Sequence, residues 1–304
     1  MANPWDADID LSPDEAKRLV WNQFPEFRDR PFQLLSSGWD NTAYLVDDRF
    51  VFRFPRRQIA AALIEYEIKI LPRLAPHLPL PISVSTLLGE PTESYPFVWA
   101  GHEFMTGNTA CRMTWSNVQR ANNAELLGSF LKALHAIPID DAKSWAPGDE
   151  INRTDFQSRL PTVIDRLTKL QSVLPDIPME RIKEMADKLA AHVPEERRTT
   201  WVHGDLYSRH LIANENREVV GVIDWGDVHL GDPALDLSIA FTFLPTNAHE
   251  IFRSAYGEIS EEEWNNAKFR AISHAAAISD YGLGIGDDDL LRAAEFTLRS
   301  LTTG

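Results

Sequence analysis

The chain changes its local sequence pattern about one third of the way along, and this change limits the folds open to it. Up to residue 105, β-branched and aromatic runs such as 32–35, 42–46 and 50–54 alternate with turn residues. Beyond that point, amphipathic stretches typical of helices prevail. We therefore predict an α+β fold with a small antiparallel β-rich lobe over 1–105, a larger helical lobe over 106–304 and a ligand cleft at their junction.

Local signals place the individual elements. Ser12-Pro13-Asp14-Glu15 has the pattern of a capping box, so we expect a helix to begin there and to end before Pro25. Further helices are expected over 60–74, 124–135, 156–174 and 179–192. Further strands are expected near 83–87, 97–104, 201–203, 210–212 and 219–225, with breakers at Gly89-Glu90-Pro91.

Composition excludes several classes of partner. The 304 residues carry a net charge of −15, which disfavours nucleic acid and anionic membranes as partners. Cys111 is the only cysteine, so no internal disulfide or cysteine-built metal site is possible. We find no apolar run near the roughly 20 residues that cross a bilayer, and the first residues lack the pattern of a secretory signal. A monomeric cytoplasmic protein is the expectation.

Two short motifs carry the chemistry, His203-Gly204-Asp205 and Ile223-Asp224-Trp225. Strand-like runs at 211–213 and 219–223 flank a turn between the motifs, which is the pattern of a β-hairpin. Because a hairpin returns its two ends to the same place, we expect Asp205, His210 and Asp224 to lie side by side.

Such an arrangement suits phosphoryl transfer. One carboxylate, Asp205, would orient an acceptor hydroxyl and take its proton. Another, Asp224, would offer the hard oxygen ligands that Mg²⁺ prefers, and the ion would offset charge on the donor phosphates. Positioning and electrostatics carry most of this reaction.

With the further motif Gly231-Asp232-Pro233-Ala234-Leu235-Asp236-Leu237, the chain resembles the antibiotic phosphotransferases, whose fold is protein-kinase-like. The resemblance implies that Asp205 is catalytic, that the residue at position 210 is a metal ligand, and that Asp224 replaces the aspartate of the kinase Asp-Phe-Gly motif. Most of that family has asparagine where this chain has His210. Histidine there is similar to the macrolide 2′-phosphotransferase branch.

The resemblance also implies a donor site in the β-rich lobe. An arginine on the third strand, Arg53, would bind phosphate and pair with Glu67 on the next helix, with Glu65 as the alternative. The loop over 36–41 would cover the phosphates, and the backbone near 103–105 would pair with the purine. The residues expected at the nucleotide are Arg53, Glu67, Ser36, Ser37, Glu103, Phe104 and Met105. The macrolide branch generally uses GTP, so we expect GTP, with ATP as the alternative.

The acceptor implied by His210 is a macrolide, a large apolar ring with a protonated amino sugar. Carboxylates close to the motifs and polar groups on the C-terminal helices would bind it. The residues expected there are Asp236, Asp227, Tyr281 and His274.

Other readings stay open. The same fold can phosphorylate an aminoglycoside, choline, homoserine or another metabolite hydroxyl. A nucleotide-binding pseudokinase is the non-enzymatic alternative, but such proteins lose the base or the metal ligand, and this chain keeps both Asp205 and Asp224.

Overall fold

The computed structural model describes residues 7–9, 11–38, 40–191 and 197–302. The chain divides into two compact units. The first unit comprises Met1–Pro76, Ile82–Thr106 and Asp224–Asp227, and the second comprises His77–Pro81, Gly107–Ile223 and Val228–Gly304.

The first unit is built on a five-stranded antiparallel sheet in the order β1-β2-β3-β5-β4. The capping box at Ser12 and Glu15 is confirmed, with both reciprocal hydrogen bonds present. In chain order the elements are α1 (Pro13–Gln23), β1 (Phe32–Ser37), β2 (Asn41–Val46), β3 (Phe50–Pro55), α2 (Gln58–Leu74), β4 (Leu87–Gly89) and β5 (Trp99–Glu103).

Strand β3 gives the sheet two different faces. Phe52 and Phe54 lie in a buried aromatic core, where the Phe54 ring stacks on Trp99 with centroids 4.7 Å apart. Because side chains alternate along a strand, Val51 and Arg53 lie on the opposite face. Arg53 is thus displayed beside a small apolar cluster rather than in the core.

The second unit is mostly helical. Its strands form two small sheets, β7 with β10 and β6-β8-β9. In chain order its elements are β6 (Asn108–Thr109), α3 (Asn117–Ala121), α4 (Ala124–His135), α5 (Phe156–Leu170), α6 (Met179–Ala190), β7 (Thr200–Val202), β8 (Leu211–Ala213), β9 (Val219–Val222), β10 (His229–Gly231), α7 (Ala234–Leu237), α8 (Ile239–Thr242), α9 (His249–Tyr256), α10 (Glu261–Ile285) and α11 (Asp288–Thr302).

The predicted α+β class, with an antiparallel sheet followed by a helical part, is confirmed. The strand expected at 83–87 was misplaced, since pairing with β5 begins at Leu87 and includes Gly89. Gly89 is no breaker. A Cβ there would lie 2.0 Å from the Trp99 ring, so glycine lets that ring pack onto the strand.

Two helices and one strand end earlier than the sequence suggested. Helix α5 stops at Leu170, α6 stops at Ala190, and β9 stops at Val222. His192, the expected end of α6, lies outside the described residues. Across the part of the chain that the structure describes, no helix combines the length and hydrophobicity needed to span a bilayer.

Candidate active site

The predicted hairpin between the two motifs is confirmed. Strands β8 and β9 pair antiparallel, with Leu211 opposite Val222. Arg217 closes the turn in the left-handed region at φ 66°. At the open end, the Ile223 amide donates to the His210 carbonyl at 2.9 Å. The hairpin therefore holds the end of the first motif beside the start of the second.

Asp224, the residue after this hydrogen bond, adopts φ 62°. Aspartate tolerates the left-handed region better than most residues. This conformation ends the strand, and the segment Asp224–Asp227 belongs to the first unit. The strand predicted to reach Trp225 is interrupted here for that reason.

Asp205 lies among three nitrogen-bearing side chains of the second unit. Its Oδ1 is 3.3 Å from Arg270 Nη2 and 3.4 Å from His274 Nε2, and its Oδ2 is 3.9 Å from His210 Nδ1. The Asp205 side chain is 28% exposed. Burial alone would raise the pKa of this carboxyl, but His274, His210 and Arg270 together hold it well below its usual value. Asp205 is therefore an ionised carboxylate that solvent can reach.

The histidines of this loop have assignable tautomers. His210 Nδ1 lies 2.8 Å from the Asp205 carbonyl, and since a carbonyl only accepts, Nδ1 carries the hydrogen. His203 Nε2 donates to the Ile223 carbonyl at 3.0 Å, and its Nδ1 accepts from the Asp205 amide at 3.3 Å. In a neutral His210 ring the lone pair is therefore on Nε2.

Asp236 holds the backbone of the loop that carries Asp205. This side chain is fully buried, and its two oxygens accept from the His203 amide at 2.7 Å and the Gly204 amide at 3.0 Å. Burial would raise the pKa of Asp236, but its hydrogen bonds with His135 and His203 hold that pKa below the usual value. A carboxylate so enclosed does not reach an acceptor, so we assign Asp236 to loop positioning instead of the substrate contact expected from sequence.

A buried chain of hydrogen bonds extends from Asp236. His135 Nε2 lies 3.3 Å from Asp236 Oδ2, and His135 Nδ1 lies 2.9 Å from the Tyr256 hydroxyl. Arg198 donates to the same hydroxyl at 2.6 Å. Burial raises the pKa of Tyr256 to about 12, so the phenol stays protonated. Its O–H donates a hydrogen bond to His135 Nδ1. Four side chains thus hold the loop in one arrangement.

Within the first unit, Arg53 and Glu67 form a two-pronged ion pair. The Arg53 guanidinium donates to the two Glu67 oxygens at 2.6 and 2.8 Å, and the Glu67 side chain is only 2% exposed. Burial would lower the pKa of Arg53, but Glu67, Asp224 and Asp40 together raise it. The choice of Glu67 over Glu65 as partner is confirmed, and Asp224 lies close enough to act on Arg53 electrostatically.

An apolar cluster next to Arg53 suits a nucleotide base. Ala43, Leu45 and Val51 are buried on this face of the sheet, and Phe104 packs against them. The Phe104 amide donates to the Arg49 carbonyl at 2.7 Å, so this amide is not available to pair with a purine.

Hydrogen bonds also occupy some of the other backbone groups of residues 103–105 that were expected to pair with a purine. His102 Nδ1 lies 2.9 Å from the Glu103 carbonyl, and burial lowers the pKa of His102 to about 4, so the neutral ring donates. Among the described residues, nothing hydrogen-bonds the Met105 amide. The Met105 amide is therefore available to donate a hydrogen bond to a purine.

The predicted phosphate loop is shorter than expected. Ser36 and Ser37 are the last residues of β1, paired with Ala43 and Thr42, so only 38–40 connect the strands. Arg56 donates to the Gly38 carbonyl at 2.7 Å, and Arg57 pairs with Asp40. Trp39 lies outside the described residues. Arg56 and Arg57 therefore fix the position of this loop.

The remaining predicted residues lie in different places. His274 and Tyr281 share α10, and seven residues bring the chain about two turns along the same face. Asp227 ends the segment that belongs to the first unit. The structure therefore brings His274, but not Asp236, to the Asp205 carboxylate.

No group of three or more histidine, cysteine, aspartate or glutamate side chains within the described ranges would hold a metal ion alone. Asp224 offers oxygens of the kind that Mg²⁺ prefers. His210 offers a nitrogen lone pair, which is a softer ligand. It suits this ion less well than the oxygen of the asparagine that most antibiotic phosphotransferases have at this position. Asp224 therefore fits a magnesium ion better than His210 does.

A family model described as "Phosphotransferase enzyme family" matches residues 31–271. The chain belongs to this family. The matched region contains the sheet, both motifs and Arg270, and it ends three residues before His274.

The relatives of this chain include antibiotic kinases. An aminoglycoside 3′-phosphotransferase of Streptomyces fradiae is 27% identical over 172 residues, which is 55% of this chain and 57% of that enzyme. A GDP and kanamycin complex of the aminoglycoside enzyme APH(2″)-IIIa has a TM-score of 0.69 at 21% identity, covering 93% and 97% of the two chains. The macrolide 2′-phosphotransferase MphH of Brachybacterium faecium has a TM-score of 0.61 at 20% identity, covering 94% and 97%. The kinase-like fold implied by the motifs is confirmed.

The sequence analysis did not identify Arg270 as a site residue. Arg270 and His274 are separated by one helical turn, and this spacing was the available signal. The spacing becomes meaningful only when α10 is known to pack beside Asp205.

Removing the Tyr256 hydroxyl tests the buried chain of hydrogen bonds. We expect Tyr256→Phe to lower the free energy of unfolding by about 1–3 kcal/mol, because a buried His135 nitrogen loses its partner. Urea unfolding measures the change. Tyr66→Phe is the matched control, since the Tyr66 hydroxyl bonds to none of the described residues. Equal stability of Tyr256→Phe and wild type would show that these buried hydrogen bonds do not hold the loop.

Proposed function

We propose that this phosphotransferase moves the γ-phosphoryl group of GTP, or of ATP, to a hydroxyl group of a macrolide antibiotic, the 2′-hydroxyl of its amino sugar. The observation that carries the proposal is the Asp205 carboxylate, ionised, partly exposed and held on a braced loop. A hydroxyl placed against this carboxylate can attack phosphorus directly.

Each part of the reaction has a candidate group. The acceptor oxygen forms a bond to the γ-phosphorus, the bond to the β-phosphate oxygen breaks, and the hydroxyl proton passes to Asp205. Arg53, fixed by Glu67, would bind donor phosphate oxygens. The apolar cluster at Ala43 and Val51 would hold the base, and the Met105 amide would pair with its edge.

Asp224 would hold a magnesium ion through its oxygens, and the bound ion would neutralise charge on the donor phosphates. Nearness to Arg53 supports this role, because an ion held by Asp224 and the Arg53 guanidinium would both meet donor phosphate oxygens. His210 keeps the Asp205 backbone in place through its Nδ1 hydrogen bond.

Two observations support the choice of donor and acceptor. Solved relatives include GDP complexes of an aminoglycoside phosphotransferase and an ATP complex of another, which favours a purine nucleotide. His210, similar to the macrolide branch, favours a macrolide acceptor.

A second candidate acceptor is a hydroxyl compound without an ammonium group beside the reacting hydroxyl. The Arg270 guanidinium, 3.3 Å from Asp205 Oδ1, favours this candidate because it would repel a neighbouring cation. Asp236, the other carboxylate expected near the amine, is enclosed and offers no compensation.

An acceptor panel tests the proposal. The purified protein with Mg²⁺ and either GTP or ATP would be given erythromycin-like macrolides, aminoglycosides, choline and homoserine, and nucleoside diphosphate release would be followed. We expect release with GTP to rise when a macrolide is present. Stimulation by homoserine alone would favour the second candidate, because its ammonium group is one carbon further from the hydroxyl than in choline or a macrolide amino sugar. No stimulation by any compound would overturn both.

A further inference from the structure

The face of α10 that carries Arg270 and His274 adds two groups to the Asp205 site. The two residues are four apart on one helix, so both side chains project from the same face. Their side chains are 10% and 8% exposed, whereas the Asp205 side chain is 28% exposed. Of the three, the carboxylate is the group that a substrate can reach most readily.

Both α10 side chains approach the same oxygen of Asp205. Arg270 Nη2 lies 3.3 Å and His274 Nε2 lies 3.4 Å from Oδ1. Among the residues that the structure describes, none donates a hydrogen bond to Oδ2. His210 Nδ1 lies 3.9 Å from Oδ2, and its hydrogen is directed to the Asp205 carbonyl. Hydrogen bonds at catalytic groups are often long before the substrate binds. The two carboxylate oxygens are thus in different surroundings.

The His274 ring is fixed in orientation. It packs edge-on against Tyr207 with ring centroids 4.5 Å apart, and within the described residues its buried Nδ1 has no hydrogen-bond partner. The neutral ring therefore has its hydrogen on Nε2, facing Asp205, and its lone pair on Nδ1. The other tautomer would bury an N–H group without an acceptor, which costs more free energy than a buried lone pair. His274 therefore donates to Asp205.

Arg270 also touches the backbone of the loop. Its Nη2 lies 3.5 Å from the Gly204 carbonyl, and Gly204 adopts φ 84°, a conformation that favours glycine. One guanidinium group therefore contacts both the carboxylate and the turn that carries it.

We propose that Arg270 and His274 are positioning residues that hold Oδ1 of Asp205 and leave Oδ2 to accept the proton of the acceptor hydroxyl. This inference rests on the proposed phosphoryl transfer. The acceptor hydroxyl must then approach Asp205 from a fixed direction. Displacing a reacting group by about 1 Å can slow a reaction about 100-fold.

The test compares variants that keep or remove each donor. Arg270→Met and His274→Leu remove the donors, while Arg270→Lys and His274→Gln keep an N–H group at similar reach. With Mg²⁺, GTP and erythromycin, we expect kcat to fall about 10- to 100-fold in the first two variants, with KM for GTP within about twofold of wild type. The conservative variants should recover part of the loss.

Lys268→Met is the control, because Lys268 is a cation on the same helix that packs over Phe241 instead of facing Asp205. Urea unfolding accompanies each variant. If Arg270→Met does not fold, His274→Leu decides the test. A kcat within about twofold of wild type in the folded donor-removing variants would overturn the inference.

Crystal structures of the donor-removing variants Arg270→Met and His274→Leu keep the inference testable if erythromycin is not an acceptor. The inference predicts that the Asp205 carboxylate rotates away from its wild-type position, and an unmoved carboxylate would refute it. Failure of the proposed function looks different, since wild type itself would then show no acceptor-dependent turnover.

Discussion

Asp205→Asn is expected to reduce acceptor-dependent nucleotide turnover by about 10²- to 10⁴-fold while the protein stays folded. Asparagine has the same shape as aspartate but does not take up the hydroxyl proton. The substitution should be tolerated because the side chain is 28% exposed and the amide oxygen can still accept from Arg270. Steady-state turnover with Mg²⁺ and GTP measures the effect.

Asp176→Asn serves as the matched control for charge removal, since Asp176 is an exposed carboxylate between α5 and α6. That variant should turn over like wild type. Equal turnover by Asp205→Asn and Asp176→Asn would contradict the assignment of Asp205 as the base.

Arg53→Met is expected to cost about 3–5 kcal/mol of unfolding free energy, because the Glu67 carboxylate would remain buried without its partner. The same variant should raise the KM for GTP about 10- to 100-fold, the range expected for a lost charge-assisted hydrogen bond to phosphate. Urea unfolding and steady-state kinetics give the two quantities separately.

The double variant Arg53→Met/Glu67→Leu separates stability from function. Apolar groups in place of both partners should recover most of the stability, and the KM should stay high. Arg30→Met is the control, since the Arg30 side chain of the same unit is 56% exposed and its pair with Asp47 contributes about 0–1 kcal/mol. A normal KM in the double variant would rule out Arg53 as a phosphate ligand.

Features set by local pattern could be predicted from sequence. The capping box at Ser12, the strand with Arg53 between two core phenylalanines, and the hairpin after His210 all follow from spacing and turn chemistry. The Arg53–Glu67 pair was implied by the family resemblance, and the structure contains it.

Features set by distant packing could not be predicted. Asp236 was expected at the acceptor, because an aspartate after Gly-Asp-Pro looks the same in sequence whether it faces a substrate or two backbone amides. Arg270 was missed because its meaning depends on where α10 lies. The bond between Phe104 and Arg49 depends on strand register, which short aromatic runs do not specify.

The most direct test of phosphoryl transfer is the mass of the acceptor after reaction. Erythromycin incubated with Mg²⁺, GTP and the wild-type protein should gain one phosphoryl group on its amino sugar, and the Asp205→Asn protein should leave it unchanged. Unmodified erythromycin after incubation with wild type would contradict the macrolide assignment. Equal phosphorylation by both proteins would contradict the role given to Asp205.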